Sequence, residues 1–116
     1  MSLDLYLQVS ADVGGAEPYV CTLWKANYTH NCNVMAEAAG IYKHVWRPEE
    51  LPEIKTAGDL IEPLRAGILR MKGDPQKFIA LNPANGWGSY KTFLPWLQEY
   101  LEACMAYPKA TISASR

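Results

Sequence analysis

Over the first nine residues apolar and polar positions alternate, with Leu3, Leu5, Leu7 and Val9 set against Asp4, Tyr6 and Gln8. A period of two sends successive side chains to opposite faces of an extended chain, so the pattern predicts a strand over residues 2–9 with one buried face. Residues 10–18 hold Asp12 and Gly14-Gly15, which favour chain reversal. Tyr19 to Ala26 is rich in β-branched and aromatic residues and predicts a second strand, closing a hairpin with a long loop.

Beyond this the period becomes helical. Val34 to Ala39 predicts a short helix, with Asn31 or Asn33 as its N-cap and Gly40 just past its end. Ile41 to Trp46 adds a further turn, and Pro48 takes a first helical position in an irregular stretch. Thr56-Ala57-Gly58-Asp59 has the form of a capping box with Asp in place of Glu, and Leu60, Leu64, Ile68 and Met71 then recur at helical spacing up to Gly73. Pro63 must fall in the first turn of that helix or bend it. Asp74 and Pro75 open another helical segment, and Ser89 caps the last.

That last helix carries two apolar stripes, one through Tyr90, Phe93, Leu94, Leu97, Leu101, Cys104 and Met105, the other through Trp96, Tyr100, Ala103 and Tyr107. It is therefore either buried on two sides or part of a partner interface. Pro108 ends it, and Ala110 to Ala114 predicts a third strand. The β-β-α-α-α-β order predicts one α+β domain over residues 1–116, a small antiparallel sheet with helices packed on one face.

A chain of 116 residues with 49% hydrophobic content suits a single packed domain. Its 11 basic and 12 acidic residues give a net charge of −1, without the basic footprint that nucleic acid or an anionic membrane requires. No apolar run approaches a membrane span, and the alternating N-terminus is unlike a signal peptide, so a cytoplasmic protein is expected. Cys21, Cys32 and Cys104 are odd in number and widely spaced, which argues against a disulfide framework and fits a reducing compartment.

All five asparagines fall in two stretches, 27–33 and 82–90. The candidate ligand-binding residues are Asn27, Tyr28, Thr29, His30 and Asn31 in the first and Asn82, Asn85, Trp87 and Tyr90 in the second. An indole between Gly86 and Gly88 offers a stacking face and amides offer orientation, the make-up of a small polar pocket if the two stretches meet. Tyr28, Thr29 and His30 would then form the wall opposite Trp87. The same residue types also serve turns and caps, which gives them a plain structural use.

Evidence for chemistry is thin. His30 and Cys32 are the minimum for a Cys-His nucleophile pair, without the local signature of a cysteine hydrolase. His30, Cys32 and His44 lack the spacing of a metal site, and no cofactor is expected. Glu99 and Glu102 share a helix face and read as solvated, while Gly86-Trp87-Gly88 has neither the spacing nor the lysine of a phosphate loop.

At the segments Asp4-Leu5-Tyr6, Asn27-Tyr28-Thr29-His30-Asn31, Asp74-Pro75, Asn82 to Tyr90 and Pro108 to Ile112 the sequence resembles a family of small uncharacterised proteins of bacteria and their phages. The resemblance spans most of the chain except about 41–55, and its specific part is Asn85-Gly86-Trp87-Gly88. It implies a bacterial or phage origin and no particular reaction. The leading expectation is a non-enzymatic protein that binds a small polar ligand or a host protein through the two Asn-rich stretches. The alternatives are a small enzyme using His30 with Cys32, and a homodimer assembled through Trp96, Tyr100 and Tyr107.

Overall fold

A computed structural model describes residues 2–116. Strand β1 (Ser2–Ala11) pairs antiparallel with β2 (Tyr19–Thr29) on one side and β3 (Thr111–Ser115) on the other, giving the order β2-β1-β3. Between β2 and β3 lie five α-helices: α1 (Asn33–Ala38), α2 (Tyr42–Trp46), α3 (Ile61–Gly73), α4 (Pro75–Ile79) and α5 (Tyr90–Ala106). The domain is α+β, as its periodicities predict.

The alternation in β1 has the predicted result over its first half, where Leu3, Leu5 and Leu7 are completely buried and Asp4, Tyr6 and Gln8 only half-buried, but Val9, the fourth apolar position, is exposed beyond the edge of the core. Each such leucine contributes about 2 kcal/mol relative to an exposed one. The buried face receives α5. Trp24, opposite Leu7, stacks on Tyr100 at 5.4 Å, and Tyr28, opposite Leu3, packs against Phe93 and Trp96 at 5.3 and 5.2 Å. A bulge lets Leu23 and Trp24 together face Leu7, after which Thr22 faces Gln8.

Strand β2 runs three residues further than its composition predicts. Asn27, Tyr28 and Thr29 pair with Asp4, Leu3 and Ser2, so the first three residues of the stretch 27–33 are sheet. Asparagine is poor in strands, but cross-strand pairing and the burial of Tyr28 outweigh that preference.

The capping expectation at α1 is also corrected. Thr29, not an asparagine, caps the 3-10 turn His30–Cys32 by accepting from the Asn31 N–H, and α1 follows with Asn33 already inside it. Gly40 does end this segment, at a φ of 78° that favours glycine.

The remaining caps match expectation. Asp59 accepts from the Thr56 N–H in a capping box, Pro63 falls in the first turn of α3, and Asp74 accepts from the Lys77 N–H ahead of Pro75. In α5, Phe93, Leu97 and Cys104 of one stripe and Trp96, Tyr100 and Ala103 of the other are all buried, so the helix is enclosed on two sides by its own chain. Tyr107 alone of the three residues expected at a dimer face is exposed, at 38%. Among the described residues no helix is long and apolar enough to cross a membrane.

Candidate functional site

The two asparagine-bearing stretches meet at the N-terminus of α5. Tyr28 leaves the core face of β2, and its hydroxyl lies 2.8 Å from Thr92 Oγ1 and 3.6 Å from Cys32 Sγ and accepts from the Ser89 N–H at 3.4 Å. Burial pushes its phenol up to about 12, against the opposing effect of the Thr92 hydrogen bond. At neutral pH it is a fixed, uncharged hydroxyl joining β2 to the α5 cap. Ser89 completes that cap by accepting from the Thr92 N–H.

A second chain of hydrogen bonds runs along the surface. Thr29 Oγ1 accepts from Asn31 Nδ2 at 2.7 Å, Asn31 Oδ1 accepts from Asn85 Nδ2 at 3.3 Å, and Asn85 Oδ1 accepts from the Trp87 N–H at 2.9 Å. One amide thus both shapes the second loop and fastens it to the first. Asn82 closes the base of the loop by accepting from the Tyr90 N–H at 2.8 Å, and Tyr90 donates its hydroxyl to the Met71 carbonyl of α3.

The glycines flanking Trp87 have different surroundings. Both hold positive φ, 76° at Gly86 and 90° at Gly88, where a side chain is strained. Gly86 faces open space, but a Cβ at Gly88 would lie 2.7 Å from Thr29 Cγ2, 3.0 Å from Cys32 Sγ and 3.2 Å from the Tyr28 hydroxyl. Gly88 is therefore where the second loop touches the first. Trp87, carried between them, is 69% exposed.

The contact leaves a cleft of about 570 Å³ lined by Ser2, Asn27, Tyr28, Thr29, Asn31 and Trp87. Asn27 is held by two donations from Nδ2, to Ser2 Oγ at 3.1 Å and Asp4 Oδ1 at 2.8 Å. Its Oδ1 has no hydrogen bond among the described residues and is an oriented acceptor. No lysine, arginine or histidine lines the cleft. It can stack a flat or apolar ring face on the indole and exchange hydrogen bonds with amide and hydroxyl groups, and the described lining residues offer no cationic side chain to neutralise an anion.

Five of the nine sequence candidates, Asn27, Tyr28, Thr29, Asn31 and Trp87, thus line one cleft. Asn85 is the latch behind it, while Asn82 and Tyr90 brace the second loop from below. His30 is half-buried beside the cleft without lining it, its Nε2 buried and unpartnered, so the wall expected from Tyr28, Thr29 and His30 is made by the first two. Ser2 is a lining residue that sequence reasoning missed. Extending the hairpin register to Thr29 places Ser2 directly opposite and would have found it.

Cys32 is completely buried against the Tyr28 hydroxyl, and burial pushes its thiol up. An activated cysteine needs the reverse, an accessible sulfur with a lowered pKa. Among the described residues no three His, Cys, Asp or Glu side chains come together to hold a metal ion. No family model matches the chain, and no curated protein or solved structure matches it either.

Proposed function

We propose that this chain is a binding protein without catalytic activity of its own, and that its site is the cleft between Asn27, Asn31 and Trp87. The observation that carries the reading is an exposed indole held over a cleft whose amides are already oriented by the protein. An aromatic side chain at 69% exposure gains nothing for the core, and two glycines in the left-handed conformation that other residues avoid flank it. Preorganised amides lower the entropy that a ligand must overcome on binding.

The ligand this chemistry fits is small, polar and uncharged, with one face flat or apolar enough to lie on the indole. A phosphorylated ligand fits poorly, since the described residues of the cleft lining include no cationic side chain. The reading includes the bacterial or phage origin that the resemblance implies, and a cytoplasmic location, which the free state of Cys21, Cys32 and Cys104 favours.

Native mass spectrometry of the gently purified protein tests the proposal. A co-purified mass lost in Trp87→Ala and Asn27→Ala, both folded by circular dichroism, is the expected result. A bound mass that both variants retain would place the site elsewhere and overturn it.

A further inference from the structure

The cleft beside Trp87 does not stop at Asn27. A second hollow begins there, lined by Asp4, Tyr6, Lys25, Ala26 and Asn27, and a third shares Tyr6 and Lys25 with it and is completed by Thr22 and the bulge residues Leu23 and Trp24, the ring of Trp24 being stacked on Tyr100. The three join end to end along the open side of the sheet, opposite Leu3, Leu5 and Leu7. From Ser2 to Gln8 a strand covers about 20 Å at its usual rise, longer than one small ring needs.

The sheet face that carries these hollows is mostly polar. On β1 it presents Ser2, Asp4, Tyr6 and Gln8, and the register sets Thr22, Lys25 and Asn27 beside them from β2 and Thr111, Ser113 and Ser115 from β3. Hydroxyls and amides dominate. Among the described residues charge is limited to Asp4 and Lys25, one of each sign, and aromatic rings stand at two places, Trp87 at the end and Tyr6 midway. Some of the polar groups are already fixed, since Asn27 bonds Asp4 and Ser2 while Gln8 Nε2 donates to Thr22 Oγ1 at 3.5 Å.

Resting on the binding reading above, we infer that the site takes a neutral oligosaccharide laid along this groove. A sugar ring offers an apolar C–H face for an aromatic platform and an edge of hydroxyls that both donate and accept, and successive rings repeat that pattern along a chain. Trp87 and Tyr6 supply platforms, and Asn27, Asp4, Gln8 and the hydroxyl residues supply edge partners. A single-stranded nucleic acid also stacks on aromatic rings, but it needs a positively charged track for its phosphates, and the described residues lining these hollows include a single lysine, Lys25, which stands opposite Tyr6.

The test is titration of the intact chain with maltohexaose, cellohexaose and chitohexaose and with their disaccharides, read by protection of Trp87 from acrylamide. One hexasaccharide series is expected to bind about tenfold more tightly than its disaccharide, with Trp87→Ala weakening both and Tyr6→Ala removing only the advantage of length. Trp87→Tyr, which keeps a ring, is expected to restore part of the affinity. Equal affinity for two and six rings, no effect of Tyr6→Ala, or no binding in any of the three series would overturn the inference. Salt-sensitive binding of oligothymidylate instead would overturn it in favour of nucleic acid. The two proposals fail differently: an uncharged nucleoside or monosaccharide that protects Trp87 while the hexasaccharides do not leaves the cleft standing and removes the glycan, whereas a Trp87 that no uncharged ligand protects removes both.

Discussion

Gly86→Ala and Gly88→Ala form a matched pair that isolates the contact between the two loops. Both positions have positive φ, so alanine costs about 1–2 kcal/mol of backbone strain at either. Both also gain about 0.4–1 kcal/mol from a less flexible unfolded chain. These terms cancel in the comparison. The new methyl at Gly86 meets nothing within 4 Å, whereas at Gly88 it arrives 2.7 Å from Thr29 Cγ2 and 3.0 Å from Cys32 Sγ. Forcing a methylene into a packed site costs about 1–3 kcal/mol, so Gly88→Ala should be less stable than Gly86→Ala by that amount.

Urea unfolding followed by far-ultraviolet circular dichroism measures the difference, provided the two variants share one slope. Thr29→Ser adds an internal check, because it removes the nearest methyl and keeps the hydroxyl that accepts from Asn31. In that background the penalty of Gly88→Ala should fall by about 1 kcal/mol, a coupling within the range seen for residues in contact. Equal midpoints for the two alanine variants, or an unchanged penalty in Thr29→Ser, would refute the contact and with it the wall of the cleft.

Other outcomes follow from the same geometry. Cys32 and Cys104 are buried with raised thiol pKa values and Cys21 is half-buried, so a thiol reagent should label Cys21 first in the native protein and all three in urea. Labelling of Cys32 at the rate of Cys21 would contradict the packing around Tyr28. Burial pushes the Cys104 thiol and the Tyr28 phenol each up to about 12, so the folded state holds both protons more tightly than the unfolded chain does. Their contribution is complete below the ordinary pKa of each group and is lost as pH rises through about 9 to 12 for Cys104 and about 10 to 12 for Tyr28. Thermal melts should therefore fall steeply across that alkaline window, and Tyr28→Phe should flatten the fall above pH 10. Removing that hydroxyl should cost about 1 kcal/mol at neutral pH, as for a typical hydrogen bond.

Much of the fold was legible because period and caps are local. Leu3 to Val9 alternate, and Thr56, Asp74 and Ser89 each stand beside the backbone N–H groups they satisfy. What sequence left open depends on partners far along the chain. The strand character of Asn27 to Thr29 comes from pairing with Ser2 to Asp4, and Asn31 serves Asn85, 54 residues away, in place of a helix cap. Asparagine clustering pointed to two stretches that meet in the fold, but the same amide chemistry fits a latch and a ligand contact equally well. Only position separates Asn27, which lines the cleft, from Asn82, which braces a loop.

The most direct measurement is an amide and indole nitrogen–proton correlation spectrum, recorded with and without a panel of uncharged sugars and nucleosides. Of the four tryptophans Trp87 carries the exposed indole, while Trp46 and Trp96 are buried and Trp24 is half-buried on Tyr100, so the Trp87 indole signal, once assigned, is a reporter inside the cleft. The account predicts that a binding compound shifts the Trp87 indole together with the side-chain amides of Asn27 and Asn31 and leaves those of Asn82 in place. Shifts centred on other residues, or a ligand that binds with the Trp87 indole unmoved, would contradict it.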